Sequence, residues 1–180
     1  QQQVEFKAIE LLRAKLLKDR SPIANSDFGA GTRTNIKFKS VKNLAHTSLS
    51  SPKKAQLLFR IIQYLACNSI LEIGSSLGIS TAYLASAGKQ TTVYSLEGNV
   101  DLLMHAKNTV AALNLKNTQF VEGNFNSTLP ALLQNLQQPL AFVFLDGNHK
   151  YAATTQYFYL LLPHLHLDAV LVLDDIYWSG

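Results

Sequence analysis

The stretch Ser69-Ile70-Leu71-Glu72-Ile73-Gly74-Ser75-Ser76-Leu77-Gly78-Ile79-Ser80 decides how the rest of the chain is read. The run up to Ile73 is short and mostly apolar, as a buried strand is, and Ile79 to Ala87 has helical character. Gly74 and Gly78 bracket the turn between them. In such a turn the backbone approaches a ligand closely, and the helix N-terminus faces a carboxylate. The spacing is E-x-G-x-x-x-G, not the G-x-G-x-x-G of dinucleotide enzymes. Glu72 adds negative charge, which disfavours a pyrophosphate and favours a sulfonium or ammonium group.

On either side, strands and helices alternate. Ser51 as N-cap and Pro52 at the first helical position open a helix that runs to about Ala66. After the first strand and its helix come a strand at Thr91 to Leu96 and a helix at Val100 to Leu113. A strand near Thr118 to Val121 and a short helix near Leu129 to Leu136 follow. Leu140 to Leu145 is a fourth strand, Tyr151 to Leu162 a helix stopped by Pro163, and Ala169 to Leu173 a fifth strand. Five strands alternating with four helices predict an α/β fold, a Rossmann-like doubly wound parallel sheet with both faces covered. Upstream, Val4 to Leu17 has the periodicity of an amphipathic helix. Residues 19–51 are polar and weakly periodic, and Asp27 to Arg33 reads as a glycine-containing loop. The expected division is residues 1–50, a helix and loop serving as lid, substrate or dimer segment, and residues 51–180, the ligand-binding domain.

Composition narrows the class. The chain has 180 residues, 47% of them hydrophobic and 16% charged, which is globular in character. The apolar runs fall far short of the roughly 20 residues of a membrane span. With Cys67 the only cysteine, no disulfide forms within the chain, and a cytoplasmic location is expected. The net charge of +4 divides into +8 over residues 1–60 (twelve Lys/Arg, four Asp/Glu) and −4 over residues 61–180 (four against eight). Lys7, Lys15 and Lys18 alternate with Leu11, Leu12 and Leu16, so the basic segment reads as a solvated helix face rather than a nucleic-acid surface.

In open α/β sheets ligands bind at the carboxyl ends of the strands. Glu97 closes the second strand 23 positions after Gly74, where an acid accepts hydrogen bonds from ribose hydroxyls. Its plainer reading is a surface glutamate ahead of Asn99, a helix cap. Gly123, Asn124 and Phe125 follow the third strand, with Phe125 offering a face to an adenine or else a side chain to the core. Asp146 ends the fourth strand, and Asp174-Asp175 ends the fifth. On neighbouring strands these ends lie roughly 5 Å apart, and like charges so close call for a cation, Mg²⁺ above all. Singly, Asp146 reads as a turn residue and Asp175 as a helix cap.

Together these residues resemble the motif set of class I S-adenosylmethionine (SAM)-dependent methyltransferases. LEIGSSLGISTAYL at Leu71 to Leu84 is similar to the small O-methyltransferases, including the catechol and caffeoyl-CoA enzymes. DGNHKY at Asp146 to Tyr151, with LVLDDIYWSG, is closer still to the family labelled methyltransferase 24. The resemblance spans roughly residues 50–180. It implies that Glu72, Gly74, Ser76, Gly78 and Ser80 hold the methionine part of SAM. Glu97 with Gly98 would hold the ribose, Gly123 to Phe125 the adenine, and Asp146 would border the cofactor. Asp146, Asp174 and Asp175 fall where catechol-type enzymes bind Mg²⁺ through two aspartates and an asparagine. His149 stands where those enzymes carry their proton-accepting lysine, with Lys150 next to it as a fallback.

The implied reaction is methyl transfer from SAM to a hydroxyl oxygen of a small molecule with Mg²⁺ assistance, by an enzyme that often pairs as a homodimer. Three rivals stand beside it. Nucleic-acid amino-methyltransferases show [ND]-P-P-[YF] where this chain reads Asp146-Gly147-Asn148-His149. A cytosine-C5 enzyme needs a cysteine nucleophile, and Cys67 precedes the first strand, on the wrong side. A catalytically silent SAM-binding module keeps Glu72, Gly74 and Glu97 without the metal. Related enzymes continue past the fifth strand, so their C-terminal antiparallel strands are expected to be missing here, leaving that strand an exposed edge.

Overall fold

The computed structural model describes residues 2–24, 38–88 and 90–175. The expected loop at Asp27 to Arg33 lies outside the described residues. Helix α1 (Gln2–Leu16) leads to a short antiparallel pair, β1 (Pro22–Ala24) and β2 (Phe38–Ser40), and then to α2 (Val41–Ser48) and α3 (Pro52–Tyr64). The alternating part follows as β3 (Ser69–Ile73), α4 (Ile79–Ser86), β4 (Thr92–Glu97), α5 (Val100–Ala112) and β5 (Thr118–Glu122). It continues through α6 (Phe125–Gln134), β6 (Leu140–Leu145), α7 (Tyr151–Leu161), a 3₁₀ turn at Leu162–His164 and β7 (Leu165–Leu173).

The five later strands form one parallel sheet in the order β5-β4-β3-β6-β7. The chain winds outward from β3 through β4 to β5, then crosses back to β6 and β7, so strand order reverses between β3 and β6. Side chains alternate across the sheet, which explains the apolar runs. Ile70, Val93, Phe142 and Phe144 enter one core with Leu58, Phe59 and Ile62 of α3 and Ala82 to Ala85 of α4. Leu71, Leu96, Val143 and Leu145 enter a second core with Leu129 and Leu133 of α6 and Tyr157 and Leu161 of α7.

The leading segment shares the first core through Ile9, Leu16, Ile23, Val41 and Ala45. Buried Arg13 donates through Nη1 to the Ser50 carbonyl at 2.7 Å, and the Tyr83 hydroxyl donates to Glu10 at 2.9 Å. Lys7, Lys15 and Lys18 are exposed, as a solvated face requires.

Three boundaries differ from expectation. Helix α2 and the β1–β2 pair fall where the polar sequence reads as loop. Ser40 nucleates α2 by accepting the Asn43 N–H. Helix α6 begins at Phe125 instead of Leu129, because the Asn124 side chain caps it, accepting the Asn126 N–H at 2.9 Å. Strand β7 begins at Leu165 instead of Ala169. Leu165 pairs with Leu140, and an irregularity follows before Val170 pairs with Phe142. The exposed polar residues His166 and Asp168 in that irregularity disguise the strand.

Helix α4 is nearly all buried and packs against α5. The contact is closest at Gly78, whose φ is +81° and where a Cβ would lie 2.6 Å from the Ala106 Cα. Gly78→Ala is therefore expected to lower the unfolding free energy by about 2–4 kcal/mol, from left-handed strain plus overpacking. Urea denaturation midpoints measure this.

Candidate functional site

The turns that leave the strands are held in line by hydrogen bonds that continue the sheet. Gly74 N–H donates to the Leu96 carbonyl, Gly123 N–H to Glu97, Asp146 N–H to Ile73 and Asp174 N–H to Leu145, each at 2.9 Å. The expected site residues therefore share one edge of the sheet, at and beside the reversal of strand order.

Gly74 has a φ of +100°, and a Cβ there would collide with the Asp146 carbonyl oxygen. Its glycine is thus demanded by the neighbouring turn, not only by a ligand. Gly78 stands at the N-cap of α4, where no side chain caps the helix. Ser80 is buried in the first turn of α4. Ser76 is half-buried, and its hydroxyl lies 3.0 Å from that of Ser48 in α2. That contact brings the leading segment onto the glycine turn.

Glu72 is fully buried. Thr81 and Ser95 hydroxyls each donate to its Oε2 at 2.5 Å. Among the described residues, its Oε1 has no hydrogen-bond partner. Burial pushes its pKa up, and the hydroxyls of Ser80, Ser95 and Thr81 counter that only in part. Glu97 is buried too and accepts the Ser76 N–H at 2.8 Å and the Asn99 N–H at 3.0 Å. Burial again raises the pKa, opposed by the backbone amides of Asn99, Ser76 and Gly98. Asn99 caps α5 as expected, but Glu97 is buried and is not the surface glutamate of the plainer reading.

Gly123 leads into Asn124, whose side chain is spent on capping α6. Phe125 is half-buried, edge-on to the Tyr157 ring at 6.4 Å, and it packs under Gly147. The Tyr157 hydroxyl, unmarked in the sequence, accepts from Asn148 Nδ2 at 3.1 Å and donates to Asn126 Oδ1 at 3.0 Å. It ties the turn after β6 to the start of α6.

The three aspartates are not equivalent. Asp146 is half-buried, and its pKa is pushed up to about 9 by burial and by its hydrogen bond and charge repulsion with Asp174. Burial also works against the charge of Asp174, but hydrogen bonds from Lys54 and Asp146 prevail and hold it below the usual carboxylate range. Lys54, in the first turn of α3, is ion-paired through Nζ to Asp174 Oδ2 and lies 5.9 Å above the Phe144 ring. Asp175 is exposed and contributes its backbone N–H to Asp174 Oδ1 at 3.0 Å. Asp146 and Asp174 are brought together. Among the described residues, though, no three His, Cys, Asp or Glu side chains converge as a metal site. Lys54 gives no sequence signal for its role, since its partner lies 120 positions away.

His149 is half-buried and lines a cavity of about 280 Å³ with Tyr151, Thr155, Phe158, Asp174 and Asp175. Lys150 occupies the N-cap of α7 with its side chain exposed. Among the described residues, no helix is long and apolar enough to cross a membrane.

Comparison with known proteins agrees with this fold. The O-methyltransferase TomG from Streptomyces achromogenes, involved in tomaymycin synthesis and solved with SAM, superposes with a TM-score of 0.69 at 24% identity, over 73% of this chain and 59% of that one. An O-methyltransferase from Bacillus cereus, solved with SAH, gives 0.68 at 23% identity, over 72% and 59%. A Podospora anserina methyltransferase bound to SAH gives 0.66 at 18% identity, over 93% and 69%. The chain thus spans 59% of the length of the first two, and at these identities the likeness is one of fold. No curated protein matches it in sequence. A family model described as a methyltransferase domain matches residues 71–176, more than half of the chain, and the chain belongs to that family.

Proposed function

We propose that this chain is a SAM-dependent methyltransferase that transfers the methyl group to a hydroxyl oxygen of a small molecule. The observation that carries this reading is the contact of the glycine turn after β3 with the turn after β6 at Gly74 and Asp146. In this reading the two turns carry donor-binding and acceptor-facing residues, and their contact supplies the proximity that group transfer requires.

The residues present fit SAM. Glu72 keeps a buried oxygen without a partner, suited to an ammonium group. The α4 N-terminus, uncapped by any side chain, suits a carboxylate. The Glu97 carboxylate, oriented by backbone amides, suits ribose hydroxyls. Bound SAM would supply a methyl group activated by its sulfonium charge. With Ser76, Ser80, Gly98 and Gly123 to Phe125, these residues orient the cofactor, and the Phe125 position suits the adenine. Asp146 holds its proton near neutral pH, its pKa being about 9. The base is therefore His149, because imidazole suits proton acceptance near neutral pH and this one lines the cavity beside the aspartates.

Mg²⁺ assistance through Asp146, Asp174 and Asp175 would need oxygens converging on one point. The donor set as arranged does not fit. Lys54 holds Asp174, Asp146 spends its carboxyl on Asp174, and Asp175 stands exposed.

A small-molecule acceptor suits the size of the cavity beside His149. Residues 1–50 serve in this reading as a covering or pairing segment on the domain of residues 51–180, supported by the Ser48–Ser76 contact. A cytoplasmic setting accords with the single buried thiol of Cys67, and a homodimer accords with the resemblance.

Calorimetry with SAM tests the central claim. Micromolar binding is expected, and Glu97→Ala should weaken it by about tenfold or more, the equivalent of one strong hydrogen-bonded contact. Absence of SAM binding by the folded protein would overturn the reading. Against a panel of phenols and alcohols, SAH release should fall about 10²–10⁴-fold in His149→Ala with SAM affinity retained. SAM binding without turnover on any acceptor would instead favour a silent module.

Protonation of Asp146 gives a further expectation. Its proton leaves near pH 3.8 in the unfolded chain and near 9 in the folded one. Between those values the folded state holds a proton that the unfolded state has lost, so stability falls as pH rises. Asp174, shifted the other way, loses its contribution only as the medium turns acid. Asp146→Asn keeps a donor toward Asp174 and should flatten the decline between about pH 5 and 9. Glu72 and Glu97, both raised, retain some of the slope. Urea midpoints across that range check it.

A further inference from the structure

We propose that Lys54 supplies the positive charge for the carboxylates at the ends of β6 and β7, so that this edge of the sheet works without a divalent cation. The lysine is positioned by its helix. Ser51 caps α3 by accepting the Lys54 N–H at 3.3 Å, and Leu58, Phe59 and Ile62 bury the helix against the sheet. From that base the side chain reaches over the Phe144 ring, its ammonium 5.9 Å from the centroid, and meets Asp174 Oδ2. Oδ1 of the same carboxylate accepts the Asp175 N–H. Both oxygens of Asp174 are thus engaged by donors from the chain, and Asp146 is hydrogen-bonded to the same group.

An ammonium over an aromatic face and against a largely buried carboxylate is held by more than an exposed ion pair is. The side chains of Lys54 and Asp174 are 34% and 16% exposed, so solvent screens the pair only in part. A Mg²⁺ ion entering here would meet a like charge already in place. It would also need nearly octahedral oxygens, while the third carboxylate, Asp175, stands outside the pair. Lys54 is in this sense a positioning residue, since it holds Asp174 and, through Asp174, Asp146.

The proposal rests on the methyltransferase reading only for the expectation of a metal at this edge, and its test needs no turnover. The full chain is titrated calorimetrically with MgCl₂, and melting temperatures are taken in Mg²⁺ and in EDTA. The proteins compared are wild type, Lys54→Arg, Lys54→Met and Asp174→Asn. Wild type and Lys54→Arg are expected to show no saturable Mg²⁺ binding at millimolar concentration and equal melting temperatures in both media. Lys54→Met, which leaves the Asp174 carboxylate without its cation, should melt lower. Mg²⁺ should raise its melting point by several degrees, with affinity at least about tenfold above wild type. Saturable Mg²⁺ binding by wild type that Asp174→Asn abolishes would overturn the proposal, even if Lys54→Met fails to fold. A folded Lys54→Met that behaves as wild type in both media would overturn it as well. SAM binding measured on the same samples separates failure here from failure of the methyltransferase reading.

Discussion

Everything at this edge of the sheet depends on how closely two backbones pass at Gly74 and Asp146. Strands β3 and β6 are neighbours, but the chain leaves β3 toward β4 and reaches β6 only after building β5. The turns after β3 and β6 head to opposite sides of the sheet and would ordinarily open a crevice. Here they start in contact, because a residue without a side chain stands at Gly74 and the Asp146 N–H continues the ladder to Ile73. The groups at the ends of these strands are consequently set by the sheet itself. The two cores serve this arrangement, since each clamps one face of β3 and β6.

Much of this fold is written in local pattern. Leu140 to Leu145 is apolar throughout because both faces are buried, so its boundaries coincide with the expected strand. Ser51-Pro52 marks the start of α3 because the cap and the proline act within one turn. Where structure depends on distant or polar partners the pattern fails. Helix α2 and the start of α6 are polar and are secured by single side-chain caps at Ser40 and Asn124. The start of β7 is hidden by exposed His166 and Asp168.

The site divides in the same way. Glycines and acids at strand ends are legible because topology alone brings strand ends together. The spacing cannot tell that Asp174 answers to Lys54, that Asp175 faces outward, or that Phe125 is held between Gly147 and Tyr157. Those outcomes depend on the docking of α3 and on the path of α6, which no window of a dozen residues contains.

Among the acids of this edge, burial makes the charged form costly for Glu72, Glu97 and Asp146, while a lysine holds Asp174 below the usual carboxylate range. The hydroxyls of Thr81 and Ser95 at Glu72, and the backbone N–H groups of Ser76 and Asn99 at Glu97, set fixed dipoles against two of these acids. Such an environment needs little rearrangement when a cationic ligand arrives.

The hydroxyl of Tyr157 joins Asn148 on one side to Asn126 on the other, with the Phe125 ring leaning on the same tyrosine. The turn after β6 and the start of α6 thus share one hinge pin. A lineage that reshapes the turn after β6 also tilts the start of α6. On the proposed methyltransferase reading, tolerance for new acceptors and grip on the cofactor then drift together, and an engineer who wants one without the other must first cut that link.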